Sequence, residues 1–463
     1  MSDTTFDLTG PLPRRTTLLE ASAGTGKTYA IAALAARYLA EDGIPVGRLL
    51  LITFGRHATG ELRSRVFDRL RTTVRALDEV LAGGALPDPD DAVTAHLASA
   101  DARLHRDRLA DAVARFNELT ILTTHSFCQT MLHELGILGD WDPAEQVGPD
   151  PVDLMRQCAA DTYLRLHRKD PRPPLLPRSA LQIGEAACAT TLELLPPAGP
   201  HREFAAMVRD LYEERKAVEG VCTYNDVVTR LLRLLRAPAG GAEVVAELQR
   251  RFAVVLVDEF QDTDPEQWSI VERAFVTDSR PTILIGDPKQ SIYAFRGADL
   301  QSYLAARDAA DVHTLAVNRR SDKPLVEGVS ELFGDRSLGD ESVTVAPVAA
   351  VVDTPRLTLP GASRLWLRLG ATAAAIDADL VATVRNLVSR GSFTHRGDHR
   401  VRYSDIAILV RRGARARELR SVLETAGIPA VLTGSQSVWA QPAAHDWAAL
   451  VTAMADPGQA TIR

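Results

Sequence analysis

Lysine is nearly missing from this chain. Only five of its 53 basic residues are lysine (Lys27, Lys169, Lys216, Lys289 and Lys323), and none follows Lys323. A compositional bias towards arginine accounts for the shortage and makes each remaining lysine informative. Cysteine is scarce too. Cys128, Cys158, Cys188 and Cys222 stand 30 or more residues apart, which excludes the paired spacing of a zinc or redox motif and reads as isolated reduced thiols. No apolar run reaches the roughly 18 uncharged residues of a membrane span. Met1 to Pro13 carries Asp3 and Asp7 and has neither the basic start nor the apolar run of a secretory leader. The expected compartment is therefore the cytoplasm, with no membrane partner.

The rest of the composition is that of a globular protein: 463 residues, 46% apolar and 24% charged. At roughly 150 residues each, about three domains are expected. The net charge of −7 does not by itself suggest a nucleic-acid partner. It does not exclude one either, because a local basic groove is enough.

Strands alternate with helices, which predicts an α/β fold with a parallel sheet. The expected strands are Thr16 to Glu20, Arg48 to Thr53, Leu119 to Thr123, Phe252 to Asp258 and Thr282 to Ile285. The expected helices between them are Lys27 to Leu39, His57 to Val74 and His125 to Leu135. Ala82 to Asp91 reads as a surface loop, and residues 139–215 as a mostly helical insertion. Val343 to Val352 reads as weakly structured. A second α/β unit follows, with strands Arg364 to Leu369, Ile406 to Val410 and Ala430 to Thr433, and helices Asp377 to Ser389 and Ala414 to Ala426.

The strongest chemical signal is the run Ala21, Ser22, Ala23, Gly24, Thr25, Gly26, Lys27, Thr28 between a strand and a helix. This is the context of a P-loop. Small residues let backbone N–H groups approach phosphates, and the helix dipole favours the anion. Lys27 supplies charge to the β- and γ-phosphates of ATP, and Thr28 is a ligand for Mg²⁺. Such a site needs a carboxylate at the end of a buried strand. Asp258 supplies it as a second Mg²⁺ ligand, and Glu259 is placed to act as general base on the attacking water. Alone, an Asp-Glu pair at a strand end could equally be a solvated terminus. The P-loop decides between the two.

Around these residues stand Phe260-Gln-Asp-Thr263 and Ile285-Gly-Asp-Pro-Lys-Gln-Ser-Ile-Tyr-Ala-Phe-Arg-Gly-Ala-Asp299. Together they resemble motifs I to IV of the superfamily 1 helicases of the UvrD/Rep/RecB type. Leu18-Leu-Glu-Ala-Ser-Ala-Gly-Thr-Gly-Lys-Thr28, Thr124-His-Ser-Phe-Cys128 and the string from Gly286 to Asp299 are more similar to the RecB branch. The resemblance spans most of the chain and is weakest between 139 and 215. It implies an RecA-like P-loop sheet with a mostly helical insertion, followed by the start of a second RecA-like domain. The boundaries it suggests are 1–138, 139–215, 216–320 and 321–463. It also implies a 3′-to-5′ ATP-dependent DNA helicase subunit of a RecBCD-type repair complex. The partners would be single-stranded or duplex-end DNA and RecC- and RecD-like subunits.

Residue by residue, the resemblance makes Gln290 the glutamine that couples the γ-phosphate to DNA, and Arg320 an arginine that contacts the γ-phosphate. Phe54 and the Tyr293, Phe295, Arg296 group match base-stacking positions. Aromatic faces with arginine suit single strands, because every base has a π-face. His125 matches a position that touches the DNA backbone.

There are departures. The upstream glutamine that reads adenine in UvrD-type enzymes is missing, since the first glutamine is Gln129. Thr53-Phe-Gly55 replaces a Thr-Phe-Thr string. A KGLEF-type motif needs a lysine beyond Lys323, and no Thr-Arg-Ala string occurs. These 463 residues are therefore expected to bind ATP and DNA but turn over weakly. The alternatives are a non-motor ATP- and DNA-binding protein, an AddA- or UvrD-like repair helicase and, least in keeping with the aromatics, a P-loop signalling ATPase.

Overall fold

The structure is a computed structural model that describes residues 4–136, 146–148, 151–189, 194, 198–293, 298–334, 336–359, 365–394, 398–433 and 442–455. The chain divides into two compact units. The first holds residues 1–321 and 330–352, and the second holds 322–329 and 353–463.

In chain order, the first unit runs β1 (Thr4–Thr5), β2 (Thr16–Ala21), α1 (Lys27–Ala40), β3 (Leu49–Thr53), α2 (Arg56–Leu81), α3 (Ala92–Ser99) and α4 (Ala102–Ala114). It continues with β4 (Thr120–Thr123), α5 (Thr124–Leu135), β5 (Gln146–Gly148), α6 (Val152–His167), α7 (Pro177–Cys188), α8 (Pro200–Glu219) and β6 (Val221–Thr223). Then come α9 (Tyr224–Arg236), α10 (Gly241–Arg251), β7 (Val254–Val257), α11 (Pro265–Phe275), β8 (Thr282–Gly286), α12 (Leu300–Asp308), β9 (Asp311–Leu315) and β10 (Val317–Asp322).

Seven strands form one parallel sheet in the order β1-β9-β2-β8-β7-β3-β4. Both faces are covered, as a parallel sheet requires. Strand periodicity sorts the side chains between two cores. Leu18, Leu50, Ile52, Val255, Val257 and Leu284 pack with α5, α9, α11 and α12. Leu19, Leu49, Leu51, Val254, Leu256, Ile283 and Ile285 pack with α1, α2 and α4. This is why β3, β7 and β8 read as unbroken apolar runs. With all strands parallel, the P-loop, Phe54, Asp258, Asp287 and His125 all leave from the carboxyl edge of the sheet.

The chain between α5 and α9 carries α6, α7 and α8 around a separate small core of Leu154, Met155, Cys158, Phe204, Val208 and Tyr212. A short parallel pair, β5 with β6, brackets these helices in sequence. The helical stretch runs to Glu219, four residues beyond the expected end.

Four expectations for the chain after 340 are corrected. Asp340–Thr344 and Ala349–Val352 are strands, in a stretch read as weakly structured. In the second unit the helices form, as Ala373–Arg390 and Gly413–Thr425. Yet residues 406–410 and 430–433 are not strands, nor are the described residues of the third expected strand, 365–369. Leu367, Leu369, Leu409 and Val431 are about nine-tenths exposed. An apolar run becomes a strand only when a neighbour completes its hydrogen-bond ladder, and these segments have no ladder partner among the described residues.

Candidate nucleotide and nucleic-acid site

The P-loop is shaped by what caps it. α1 begins at Lys27 with Gly26 as its cap residue, no side chain bonds the cap, and its first turn holds no acidic residue. The first-turn N–H groups are therefore left for an anion, and the dipole of a 14-residue helix points at them. Gly24 is in the left-handed region at φ 83°. Its close neighbour is Asn318, whose Nδ2 donates to the Ala23 carbonyl at 2.9 Å. The Arg319 N–H donates to the Gly24 carbonyl at 2.8 Å, and the Arg320 and Ser321 N–H groups donate to Asn318 Oδ1 at 2.9 Å. The segment from β10 thus pins the P-loop from outside, a role no local string in the sequence announces.

A Cβ on Gly24 would lie 2.8 Å from the Asn318 amide and 2.9 Å from Arg320 Cβ. Gly24→Ala is therefore expected to cost the left-handed penalty of about 1–2 kcal/mol plus overpacking of about 1–3 kcal/mol. Gly60→Ala, in the exposed interior of α2 with nothing near its Cβ, should instead stabilise by about 0.5–1 kcal/mol. Urea denaturation of the two variants separates site strain from generic glycine replacement.

Lys27 Nζ sits 2.8 Å from Glu259 Oε2, with the lysine side chain only 12% exposed. Glu259 follows β7 and has φ 50°, the one non-glycine residue with positive φ among those described. Such a conformation persists only where contacts over-determine it. Burial pushes the Glu259 carboxyl up. Hydrogen bonds from Gln261 and Lys27, with the charges of Lys27 and Arg320, outweigh burial and hold it below the usual range. Asp258 behaves oppositely. Burial first, then the neighbouring Glu259 charge, raises it to about 7.

A divalent cation would relieve this crowding of buried acids. Mg²⁺ takes one or two protein oxygens and keeps its waters and phosphate oxygens. Asp258 and the half-buried Thr28 at the head of α1 fit that donor set.

The remaining expected residues divide. Gln290 Nε2 donates to Asp287 Oδ2 at 2.6 Å, and Lys289 Nζ pairs with Asp287 Oδ1 at 2.8 Å. Arg320 is exposed, and its charge reaches Glu259. Phe54 and Tyr293 meet, with ring centroids 5.0 Å apart at 35°. His125 is half-buried, edge-on to Tyr224 at 6.0 Å, and burial lowers its pKa. Burial thus favours the neutral ring, a hydrogen-bonding group rather than a phosphate-pairing charge. Phe295 and Arg296 lie outside the described residues.

Two features escaped the sequence reading. Gln261, three residues after Asp258, bonds Glu259. Tyr29, next to Thr28, is held by its hydroxyl to Asp91 at 3.1 Å, with the Arg69 guanidinium 5.3 Å from its ring centre. Arg69 also makes two hydrogen bonds to Asp91, at 2.7 and 3.0 Å. The DEFQDT string was the signal for Gln261. The Tyr29 group had none, because Asp91 stands in a loop that reads only as polar.

A P-loop on a parallel sheet, facing an Asp-Glu pair from a neighbouring part of the same edge, defines a P-loop nucleotide-binding protein. Residues 8–311 match the model of the UvrD/REP helicase N-terminal domain, and the chain belongs to that family. It is 39% identical to the RecBCD enzyme subunit RecB of Mycolicibacterium smegmatis, over 98% of this chain and 43% of that protein. RecB of Escherichia coli is 33% identical over 54% of this chain and 23% of its own length. The ATP-dependent DNA helicase UvrD1 of Mycobacterium bovis is more distant, at 25% over 96% of this chain and 51% of its own. The chain thus spans less than half the length of the RecB proteins it matches.

Proposed function

We propose that this chain carries the nucleotide half of an ATP-dependent motor that moves 3′ to 5′ on single-stranded DNA. The longer protein would serve as the helicase subunit of a RecBCD-type complex, with RecC- and RecD-like subunits, at duplex DNA ends in double-strand-break repair and recombination. The observation that carries this reading is a convergence. Lys27, Asp258, Glu259 and the Phe54–Tyr293 pair all stand on the carboxyl edge of one sheet. The greater similarity to RecB than to UvrD1 favours the RecB-type complex over a UvrD-like one.

In this reading Ala21 to Thr28 wrap the phosphates and Lys27 exchanges its carboxylate partner for them. Thr28 and Asp258 would hold Mg²⁺, which supplies charge to the β- and γ-oxygens when bound. Glu259, ionised and half-buried, orients water and accepts its proton. Arg320 places fixed charge on the γ-phosphate side. Gln290 links that side to the loop of Tyr293. The Phe54–Tyr293 pair offers a stacking surface to bases, Phe295 and Arg296 keep the base contacts that their motif positions imply, and His125 donates to the DNA backbone.

No lysine beyond Lys323 means that a KGLEF-type motif is not within these residues. Losing one charge-stabilising arginine in related phosphoryl transfer costs about 10³–10⁵ in turnover. The expected result for residues 1–463 is therefore clear binding of a fluorescent ATP analogue and of oligodeoxythymidylate, very slow hydrolysis and no unwinding. Robust strand unwinding by this chain alone would overturn the expectation of weak turnover. Failure to bind nucleotide would overturn the whole reading.

A further inference from the structure

Glu259 and the Tyr293 loop are joined by one buried side chain. Gln261 is 3% exposed, in the single turn Phe260–Asp262 after β7. Its amide is used at both ends. Nε2 donates to Glu259 Oε2 at 2.7 Å, and Oε1 accepts the Asp287 N–H at 2.9 Å. Its main-chain carbonyl accepts the Ser291 hydroxyl at 3.1 Å. Glycine at 286 leaves room for it, since a Cβ there would lie 2.9 Å from Gln261 Oε1 and 3.1 Å from its backbone nitrogen.

The segment that Gln261 grips runs from Asp287, whose carboxylate holds Lys289 and Gln290, to Tyr293 and its partner Phe54. The group that it grips at the other end is a carboxylate in a strained backbone conformation. Glu259 Oε2 receives two donors, Lys27 and Gln261. When a phosphate draws Lys27 away, Gln261 is the donor that still orients the carboxylate. Glutamine suits this place because one neutral side chain both donates and accepts, which glutamate cannot do while ionised.

We propose that Gln261 is a positioning residue that couples occupancy of the Phe54–Tyr293 surface to the orientation of Glu259. A shift of the 287–293 segment pulls on the Asp287 N–H, and the same amide transmits the pull to the carboxylate. The inference rests on the function proposed above.

The test uses the 463-residue chain and needs no turnover. The affinity for a fluorescein-labelled oligodeoxythymidylate is measured with and without a non-hydrolysable Mg·ATP analogue. Coupling between two such sites is typically 5- to 150-fold, and by linkage DNA must change the analogue's affinity by the same factor. Gln261→Met keeps the volume and removes both hydrogen bonds. Each ligand alone is expected to bind within about threefold of wild type, while the coupling factor falls towards one. Ser291→Ala, at a half-buried position where no void is left, should fold normally and lower the factor part way.

Retention of full coupling in both variants overturns the inference. So does a wild-type chain that binds both ligands with no coupling. A wild-type chain that binds neither overturns the proposed function, and this inference with it.

Discussion

Lys27→Ala should weaken binding of a fluorescent ATP analogue by at least about 30-fold. The lysine is nearly buried and already engaged, so its charge is positioned before any phosphate arrives. Removing one partner of a desolvated, hydrogen-bonded charge pair costs about 2–5 kcal/mol. At about 1.4 kcal/mol per tenfold, that is roughly a 30- to 4,000-fold loss of affinity. A second effect adds to it. Without Lys27, Glu259 keeps Gln261 but loses its ammonium partner, beside an Asp258 already pushed up to about 7 by burial and by Glu259 itself. The phosphates would then meet uncompensated negative charge. Glu259→Gln is the informative contrast. It frees Lys27 from its internal rival, so the analogue should bind as well as to wild type, or a few-fold tighter. Titration of both variants decides the matter. Unchanged affinity in Lys27→Ala would mean that the glycine-rich turn is not a phosphate site.

What could be read from the sequence was what is contiguous. The P-loop, the Asp258-Glu259 pair and the strings after them stand in local order, and strand periodicity places them at one edge of a sheet. β3, β7 and β8 could be recognised because burial on both faces leaves no polar residue to interrupt them. Helix α2 ran further than its periodicity suggested, to Leu81, because buried Leu77 extends the packed stripe past Val74.

What could not be read was what depends on distant pairing. Asn318 reaches back 295 residues to the Ala23 carbonyl, and Gln261 spans 26 residues to the Asp287 N–H. Tyr29 finds Asp91 across 62. No spacing rule reports such contacts, since they are set by the order of strands in the sheet. The missing strands at 406–410 and 430–433 fail for the same reason in reverse. Their apolar residues are local and visible, but a ladder is a property of two chains side by side.

The largest loss of stability should follow from a residue with no part in the chemistry. Arg37, on α1, is 2% exposed. Its Nη1 donates to the Leu8 and Gly10 carbonyls at 2.8 and 2.7 Å, and its other nitrogens grip the Glu41 carboxylate. One guanidinium thus ties the segment before β2 to the helix that begins at the P-loop. Leucine would fill the space but leave two carbonyls and a half-buried carboxylate without their donor. Breaking a buried ion pair from one side costs about 3–5 kcal/mol.

Arg14 and Asp42 make a two-hydrogen-bond pair in the same region, but the arginine side chain is 65% exposed. Arg14→Ala should therefore cost no more than about 1 kcal/mol. Lysine at 37 should recover only part of the loss, because a point charge cannot serve carboxylate and carbonyls at once as a planar fork does. Urea denaturation of Arg37→Leu, Arg37→Lys and Arg14→Ala reads all three.

Nucleotide affinity supplies the control. Ten residues of helix separate Arg37 from Lys27, about 15 Å at 1.5 Å per residue. Below its unfolding transition, Arg37→Leu should bind the ATP analogue as wild type does. An affinity loss with unchanged stability would place Arg37 in the site, and so contradict the assignment of the phosphate contacts to the first turn of α1.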